Sequence, residues 1–200
     1  LYRLGWRGEI FFANDNLIGD RGYAKKLLAA IARWQVEHGR PFLFSGEGSL
    51  NLAEDKELLD LLRAANVTFL FIGLETPHAD SLREVHKLTN LKGDMAKRVA
   101  AIQAHGIHVA AGFIVGFDSD PPDVVERIFA AVQEMAIPYA MVSILTSLPN
   151  TVLTERLRQE GRLNDRISLT SNDTTFMPNF RTARAPGAVV RPRRPPPRGC

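Results

Sequence analysis

Val67-Thr68-Phe69-Leu70-Phe71-Ile72-Gly73-Leu74-Glu75-Thr76-Pro77 is the stretch that decides the fold class. Its apolar run does not alternate with polar residues, which is typical of a strand covered on both faces in a parallel sheet flanked by helices. Glu75 is therefore predicted at the carboxyl end of a buried strand, where α/β folds place their ligands. The alternative is that Glu75 only begins a loop, or pairs with a nearby lysine or arginine.

Strands and helices alternate on both sides of this run. Further strands are predicted at residues 9–13, 41–45, 108–115 and 139–145, and helices at 20–38, 53–65, 78–87, 94–106, from Pro121-Pro122 onward and up to about 161. This order indicates right-handed βαβ units and a parallel sheet. A doubly wound open sheet and a full or partial α/β barrel both fit. No glycine-rich phosphate loop is present, which disfavours a dinucleotide-binding fold.

The composition is that of one globular domain, or one domain and a tail, in a chain of 200 residues with 45% hydrophobic side chains. No apolar run approaches the roughly 20 residues of a membrane span, and no signal-peptide pattern opens the chain, so a cytoplasmic protein is predicted. The one cysteine is Cys200, which excludes an internal disulfide and a cysteine-based metal site. The five histidines form no ligand pattern.

The positive net charge of the chain comes from its end. Residues 181–200 hold six arginines and five prolines but no acidic residue, so residues 1–180 are acidic overall and give no basis for nucleic-acid binding. We predict a folded domain at 1–171 and a disordered Pro/Arg-rich tail at 172–200. A basic arm for anionic partners and an out-of-frame product are the two other interpretations of the tail.

Small or polar residues follow each of the five predicted strands. Together these strand ends predict a polar rim at one end of a barrel or sheet, where such folds bind ligands. For any single residue, capping of the next helix is an equally good explanation. The five ends are Asn14-Asp15-Asn16, residues 45–49, Glu75-Thr76, residues 116–118 and residues 146–151.

The order of these motifs resembles a known family. The chain is similar to radical S-adenosylmethionine (SAM) enzymes of the branch usually fused to a cobalamin-binding domain, and most of all to the group that includes hopanoid methylases. The resemblance covers roughly residues 5–172. It rests on residues 11–19, on Ser49-Leu50-Asn51-Leu52-Ala53, on residues 71–77, on residues 112–118, and on residues 147–151 continuing to 160–163.

The resemblance implies a partial (β/α)6-type barrel with SAM across its strand ends, and reductive cleavage of SAM at a 4Fe–4S cluster. By motif position, Asn14, Asp15 and Asn16 correspond to the segment near the SAM amino group. Glu75 corresponds to a residue near the ribose or the methionyl part. Ile114 corresponds to a residue that packs on the adenine, with Leu148, Pro149 and Asn150 beside it. Such acceptors and apolar contacts suit an ammonium, a ribose and an adenine ring.

The chain departs from the family pattern most clearly in the residues that hold the iron–sulfur cluster. The family holds its cluster with three cysteines spaced C-x3-C-x2-C after the first barrel strand, and Cys200 cannot replace them. We also find no counterpart in this sequence of the family's first barrel strand, its cobalamin domain or its usual C-terminal region. Asn14 and Leu17 replace the common Asp and Phe. The segment Gly46-Glu47-Gly48 is unusual as well, although Glu47 adds a further acceptor.

Three interpretations follow. The first is a fragment of a radical SAM enzyme, inactive alone, whose full-length form carries out radical chemistry such as cobalamin-dependent methyl transfer to an unactivated carbon of an unknown small molecule. The second is a non-catalytic α/β scaffold or interaction domain. The third is an unrelated barrel enzyme that uses carboxylates as acid/base or metal-binding groups, namely Asp15, Glu47, Glu75 and Asp118.

A sheet without its first barrel strand leaves an unpaired edge, predicted at residues 9–14. We expect poor solubility when the chain is expressed alone, because unpaired backbone groups at an edge recruit other chains. Size-exclusion chromatography and thermal unfolding test this expectation. A monodisperse monomer that melts cooperatively would contradict it.

Overall fold

The computed structural model describes residues 1–164 and 178–183. Within them, five parallel strands form one curled half-barrel sheet in sequence order, each pairing with the next. The predicted α/β partial barrel is thereby confirmed. The strands are β1 (Gly8–Phe11), β2 (Phe42–Gly48), β3 (Val67–Glu75), β4 (His108–Val115) and β5 (Tyr139–Ile144).

Each strand is followed by one or two helices, and the helices cover the outer face of the sheet. They are α1 (Arg21–Glu37), α2 (Lys56–Ala64), α3 (Ala79–Glu84), α4 (Met95–Gln103), α5 (Val124–Glu134) and α6 (Val152–Gln159). Single 3-10 turns lie at Tyr2–Leu4, Leu50–Glu54 and Leu88–Leu91. Asp94 caps α4 as predicted, because its side chain accepts a hydrogen bond from the Lys97 N–H.

The prediction that Pro121 and Pro122 open a helix is wrong. Helix α5 begins at Val124, and the Val124 N–H donates to the Pro121 carbonyl in a preceding turn. The physical reason is that a residue followed by proline is pushed out of the helical region, and Pro121 precedes Pro122.

The core lies between the outer face of the sheet and the helices. Leu70, Ile72 and Leu74 of β3 have no exposed surface, and Phe113 of β4 is equally buried. The inner face of β3 is only partly buried, since the half-barrel leaves that side open. The unbroken apolar run predicts that both faces of β3 are covered. In the structure only the outer face is fully buried.

The sheet, as far as the structure describes it, is open and has two edge strands. β1 is one of them, as predicted from residues 9–14, although the strand itself ends at Phe11. β5 is the other, and its side chains are exposed on both faces. Among the described residues, no helix is long and apolar enough to cross a membrane.

Residues 178–183 pack against the domain. Phe180 is buried and forms an antiparallel bridge with Leu163. The Asn179 side chain donates to the Ser147 carbonyl and accepts from the Ser147 N–H, both at 2.8 Å. The rest of the predicted tail, at 172–177 and 184–200, lies outside the described residues.

Candidate functional site

A cavity of about 350 Å³ lies on the inner face of the half-barrel at the carboxyl ends of the strands. Its position follows from the parallel pairing, which brings the ends of all strands to one side. The lining comes from the segment after β1, from strands β2 to β5 and from the turn after α3. It consists of Asp15, Asn16, Glu47, Gly48, Ser49, Phe71, Gly73, Glu75, Lys87, Gly112, Phe113, Ile114, Met141 and Ser143.

Five of the predicted site residues meet in this cavity: Asp15, Asn16, Glu47, Glu75 and Ile114. The other four are not among its lining residues. Asn14 lies in a turn in which its N–H donates to the Phe12 carbonyl, and Leu148, Pro149 and Asn150 lie in the loop after β5. A ligand contact for any of the nine residues stays a prediction.

Asn16 links the segment that follows β1 to the end of β2. Its side-chain oxygen accepts from the Ile18 N–H at 3.3 Å, and its side-chain nitrogen donates to the Ser49 hydroxyl at 3.4 Å. The Leu17 N–H donates to the Glu47 carbonyl at 2.8 Å. These bonds hold one wall of the cavity in place.

Glu75 ends β3 in an unusual backbone conformation. Its φ is 67°, in the left-handed region, and the pairing with β4 shifts by one residue between Gly73 and Glu75. Such a conformation costs about 1–3 kcal/mol in a residue other than glycine and persists where the surroundings fix it. The Glu75 carboxylate forms an ion pair with the Lys87 ammonium at 2.9 Å. The structure thus contains the nearby lysine partner that the alternative interpretation of Glu75 predicts.

Two glycines face each other across β3 and β4 beneath this carboxylate. Gly73 pairs with Gly112, and a Cβ added at Gly73 would lie 2.6 Å from the Glu75 Oε1. A Cβ at Gly112 would lie 2.8 Å from the ring of Phe71. The glycines therefore give the Glu75 carboxylate and the Phe71 ring room to fold across the cavity floor.

Asp118, the fourth carboxylate of the alternative barrel-enzyme interpretation, lies outside the cavity. It forms a two-pronged ion pair with Arg162 and accepts from the Ala183 N–H at 2.9 Å. The hydrogen bond from Arg162 is the main reason that the pKa of Asp118 lies below its usual value. In the described part of the chain, no group of three or more His, Cys, Asp or Glu could hold a metal ion.

Sequence reasoning missed Lys87, Phe71 and the Gly73–Gly112 pair. The sequence pattern predicts Lys87 inside a helix over 78–87, but α3 ends at Glu84 and the chain turns at His86, whose φ is 57°. The alignment of two strand-end glycines on successive strands was the available signal. It becomes informative only when the strand register is known.

The chain is similar in sequence to several methyltransferases, whereas no family model matches it. It is 41% identical to an uncharacterized methyltransferase of Synechocystis over 180 residues, which is 90% of this chain and 33% of the relative. It is 35% identical to the hopanoid C-2 methylase of Rhodopseudomonas palustris over 175 residues, 88% of this chain and 33% of that protein. The chain thus spans about a third of the length of these relatives.

The fold is similar to that of a solved radical SAM methyltransferase, TsrM from Kitasatospora setae, whose structure contains cobalamin and a [4Fe-4S] cluster. The TM-score is 0.63 at 17% identity, over 76% of this chain and 28% of TsrM. The sequence similarity confirms the predicted resemblance to hopanoid methylases, and the TsrM comparison shows a shared fold. A second TsrM structure, with tryptophan and a SAM analogue, aligns with a TM-score of 0.54 at 16% identity over 69% of this chain and 27% of that one.

Replacing Asp118 by asparagine is expected to lower the free energy of unfolding at pH 7 by about 1–3 kcal/mol, because a charge-assisted, partly buried pair with Arg162 is lost. A carboxylate with a lowered pKa stabilises the fold above its unfolded-state pKa and loses that effect as the pH falls through its folded-state pKa. The difference between wild type and Asp118→Asn should therefore shrink on acidification below about pH 4.

Urea unfolding at pH 7 and pH 3 measures this difference. The matched control is Asp123→Asn, which removes an exposed, solvent-screened carboxylate paired with Arg127 and should leave the free energy of unfolding close to that of wild type. Equal stability of wild type and Asp118→Asn at pH 7 would show that Asp118 does not anchor residues 162 and 183.

Proposed function

We propose that this chain forms the SAM-binding part of a radical SAM methyltransferase. The observation that carries the proposal is the strand-end cavity, which combines acceptors, one ammonium and an apolar floor. Its volume of about 350 Å³ lies in the range of small-molecule sites. The similarity to methyltransferases in sequence and to TsrM in fold supports the same conclusion.

The charges of the lining suit SAM. Three carboxylates, those of Asp15, Glu47 and Glu75, face one ammonium, that of Lys87. SAM carries a sulfonium, an ammonium and a carboxylate, so its net positive charge complements this excess of carboxylates. When bound, SAM supplies an activated methyl group or, after reductive cleavage, a carbon radical.

Each part of SAM has a matching side chain in the cavity. Asp15, Asn16 and Glu47 offer oxygen acceptors to the amino group, and Lys87 offers an ammonium to the carboxylate. Glu75 can accept hydrogen bonds from the ribose hydroxyls. Ile114 lies on the adjacent strand and provides apolar surface for the adenine ring.

The residues of this chain do not fit the iron–sulfur cluster. Such clusters are held by cysteine thiolates, and the cavity has no cysteine in its lining. The single cysteine of the sequence, Cys200, lies outside the described residues. We therefore assign cluster binding, SAM cleavage and the substrate to other parts of a longer protein, with a cobalamin-binding domain as its proposed partner.

Replacing Lys87 by methionine should weaken SAM binding about tenfold or more, because the SAM carboxylate loses a charge-assisted contact. Isothermal titration calorimetry of SAM with the chain fused to a soluble carrier protein measures this effect. Lys92→Met is the matched control, since Lys92 is exposed nearby and does not line the cavity. Equal SAM affinities of the two variants would show that Lys87 does not contact the SAM carboxylate.

The chain alone should not assemble a 4Fe–4S cluster. Anaerobic reconstitution with iron and sulfide, followed by EPR and visible spectroscopy, tests this expectation. A cysteine-free Cys200→Ser variant is the control, because it should give the same background spectrum as wild type. A stable cluster signal that Cys200→Ser abolishes would contradict the proposal.

A further inference from the structure

A buried amide lies directly behind the strand end that carries Glu75. Asn90 is 5% exposed and sits in the turn Leu88–Leu91. Its side-chain nitrogen donates to the Gly73 carbonyl and to the Leu74 carbonyl, each at 3.1 Å. These are the last two carbonyls before Glu75, so Asn90 holds the backbone where β3 leaves its regular path.

The backbone at this point needs such support. The β3–β4 register shifts between Gly73 and Glu75, and a shift of this kind disrupts the ladder locally. Glu75 is left-handed, and the Thr76 N–H donates back to the Leu74 carbonyl at 2.9 Å, which encloses Glu75 in a tight turn. An unfavourable φ persists only where the surrounding structure fixes it, and the two Asn90 bonds act on the residues just before that φ.

The same turn also positions Lys87, which supplies the ammonium group of the cavity. The Asn90 N–H donates to the Lys87 carbonyl at 3.0 Å, and the Lys87 ammonium lies 2.9 Å from the Glu75 carboxylate. Arg98 holds the turn from the other side by donating to the Thr89 carbonyl at 2.8 Å and the Lys92 carbonyl at 3.1 Å. One anchored turn therefore fixes both the backbone and the charge partner of Glu75.

We propose that Asn90 is a positioning residue of the cavity. Its amide keeps Glu75 left-handed, so that the carboxylate folds over Gly73 and faces Lys87 instead of pointing along the strand. The role in ligand binding rests on the proposed function of the cavity as a SAM site. The effect on the conformation of Glu75 does not depend on that function.

The conformational arm compares Asn90→Leu with Gln35→Met. Gln35 is a matched control because it is fully buried and its amide also donates to two backbone carbonyls, those of Phe42 at 2.6 Å and Ala65 at 3.3 Å. Crystal structures of both variants on a carrier protein should show residue 75 leaving the left-handed region in Asn90→Leu alone. A left-handed Glu75 in Asn90→Leu would overturn the proposal. Asn90→Ser, which keeps one donor, replaces Asn90→Leu if that variant does not fold.

The binding arm measures SAM affinity in the same variants. Asn90→Leu should weaken binding about tenfold, and Gln35→Met should leave it unchanged at temperatures well below unfolding. In a Glu75→Gln background, Asn90→Leu should cost less than about threefold, because the carboxylate it positions is already gone. Fully additive losses would contradict action through Glu75. Absence of SAM binding to wild type would refute the proposed function, while the structures still decide the role of Asn90.

Discussion

The pairing of β3 with β2 on one side and β4 on the other is the constraint on which the rest of the structure depends. Leu70, Ile72 and Leu74 have no exposed surface, so the strand is fixed to the core by its outer face. Its inner face and its carboxyl end are thereby held open toward the cavity. Glu75 can keep an unfavourable φ only because the strand before it and the turn beside it are both anchored.

Much of the fold could be predicted because its physical causes are local. Each strand is a short apolar run that ends in polar residues, and each helix has an apolar face, so the alternation is legible without tertiary information. Element ends were less predictable. The sequence predicts a helix that opens at Pro121-Pro122 and another over 78–87, but the first begins at Val124 and the second ends at Glu84, because turn geometry decides such boundaries.

The site was predictable to the extent that it follows from parallel topology. Asp15, Glu47, Glu75 and Ile114 follow or end different strands, and the sheet brings them to one cavity. Lys87 depends on a turn whose path the sequence does not reveal. The loop after β5 depends on Asn179, whose amide pairs with both backbone groups of Ser147 from 32 residues away. Such long-range contacts leave no periodic signal.

Polar residues at the strand ends divide into two groups. Some face the cavity, whereas others support the backbone: Asp120, after β4, accepts from the Gly116 and Phe117 N–H groups. Glu84, at the end of α3, supports the same turn by accepting from the Asp118 and Ser119 N–H groups. The sequence cannot separate them because a carboxylate that caps a turn and one that contacts a ligand look alike. The strand-end rim is therefore part scaffold and part site, and only the second part bears on SAM.

Photoaffinity labelling with an 8-azido analogue of SAM tests the central claim, that this cavity binds SAM through its strand ends, most directly. The account predicts labelling of the peptide that contains Ile114, with loss of the label when unmodified SAM competes. Labelling that unmodified SAM does not prevent would contradict it, and so would labelling of the apolar groove around Trp34 and Phe42, between α1, the amino-terminal turn and the first two strands.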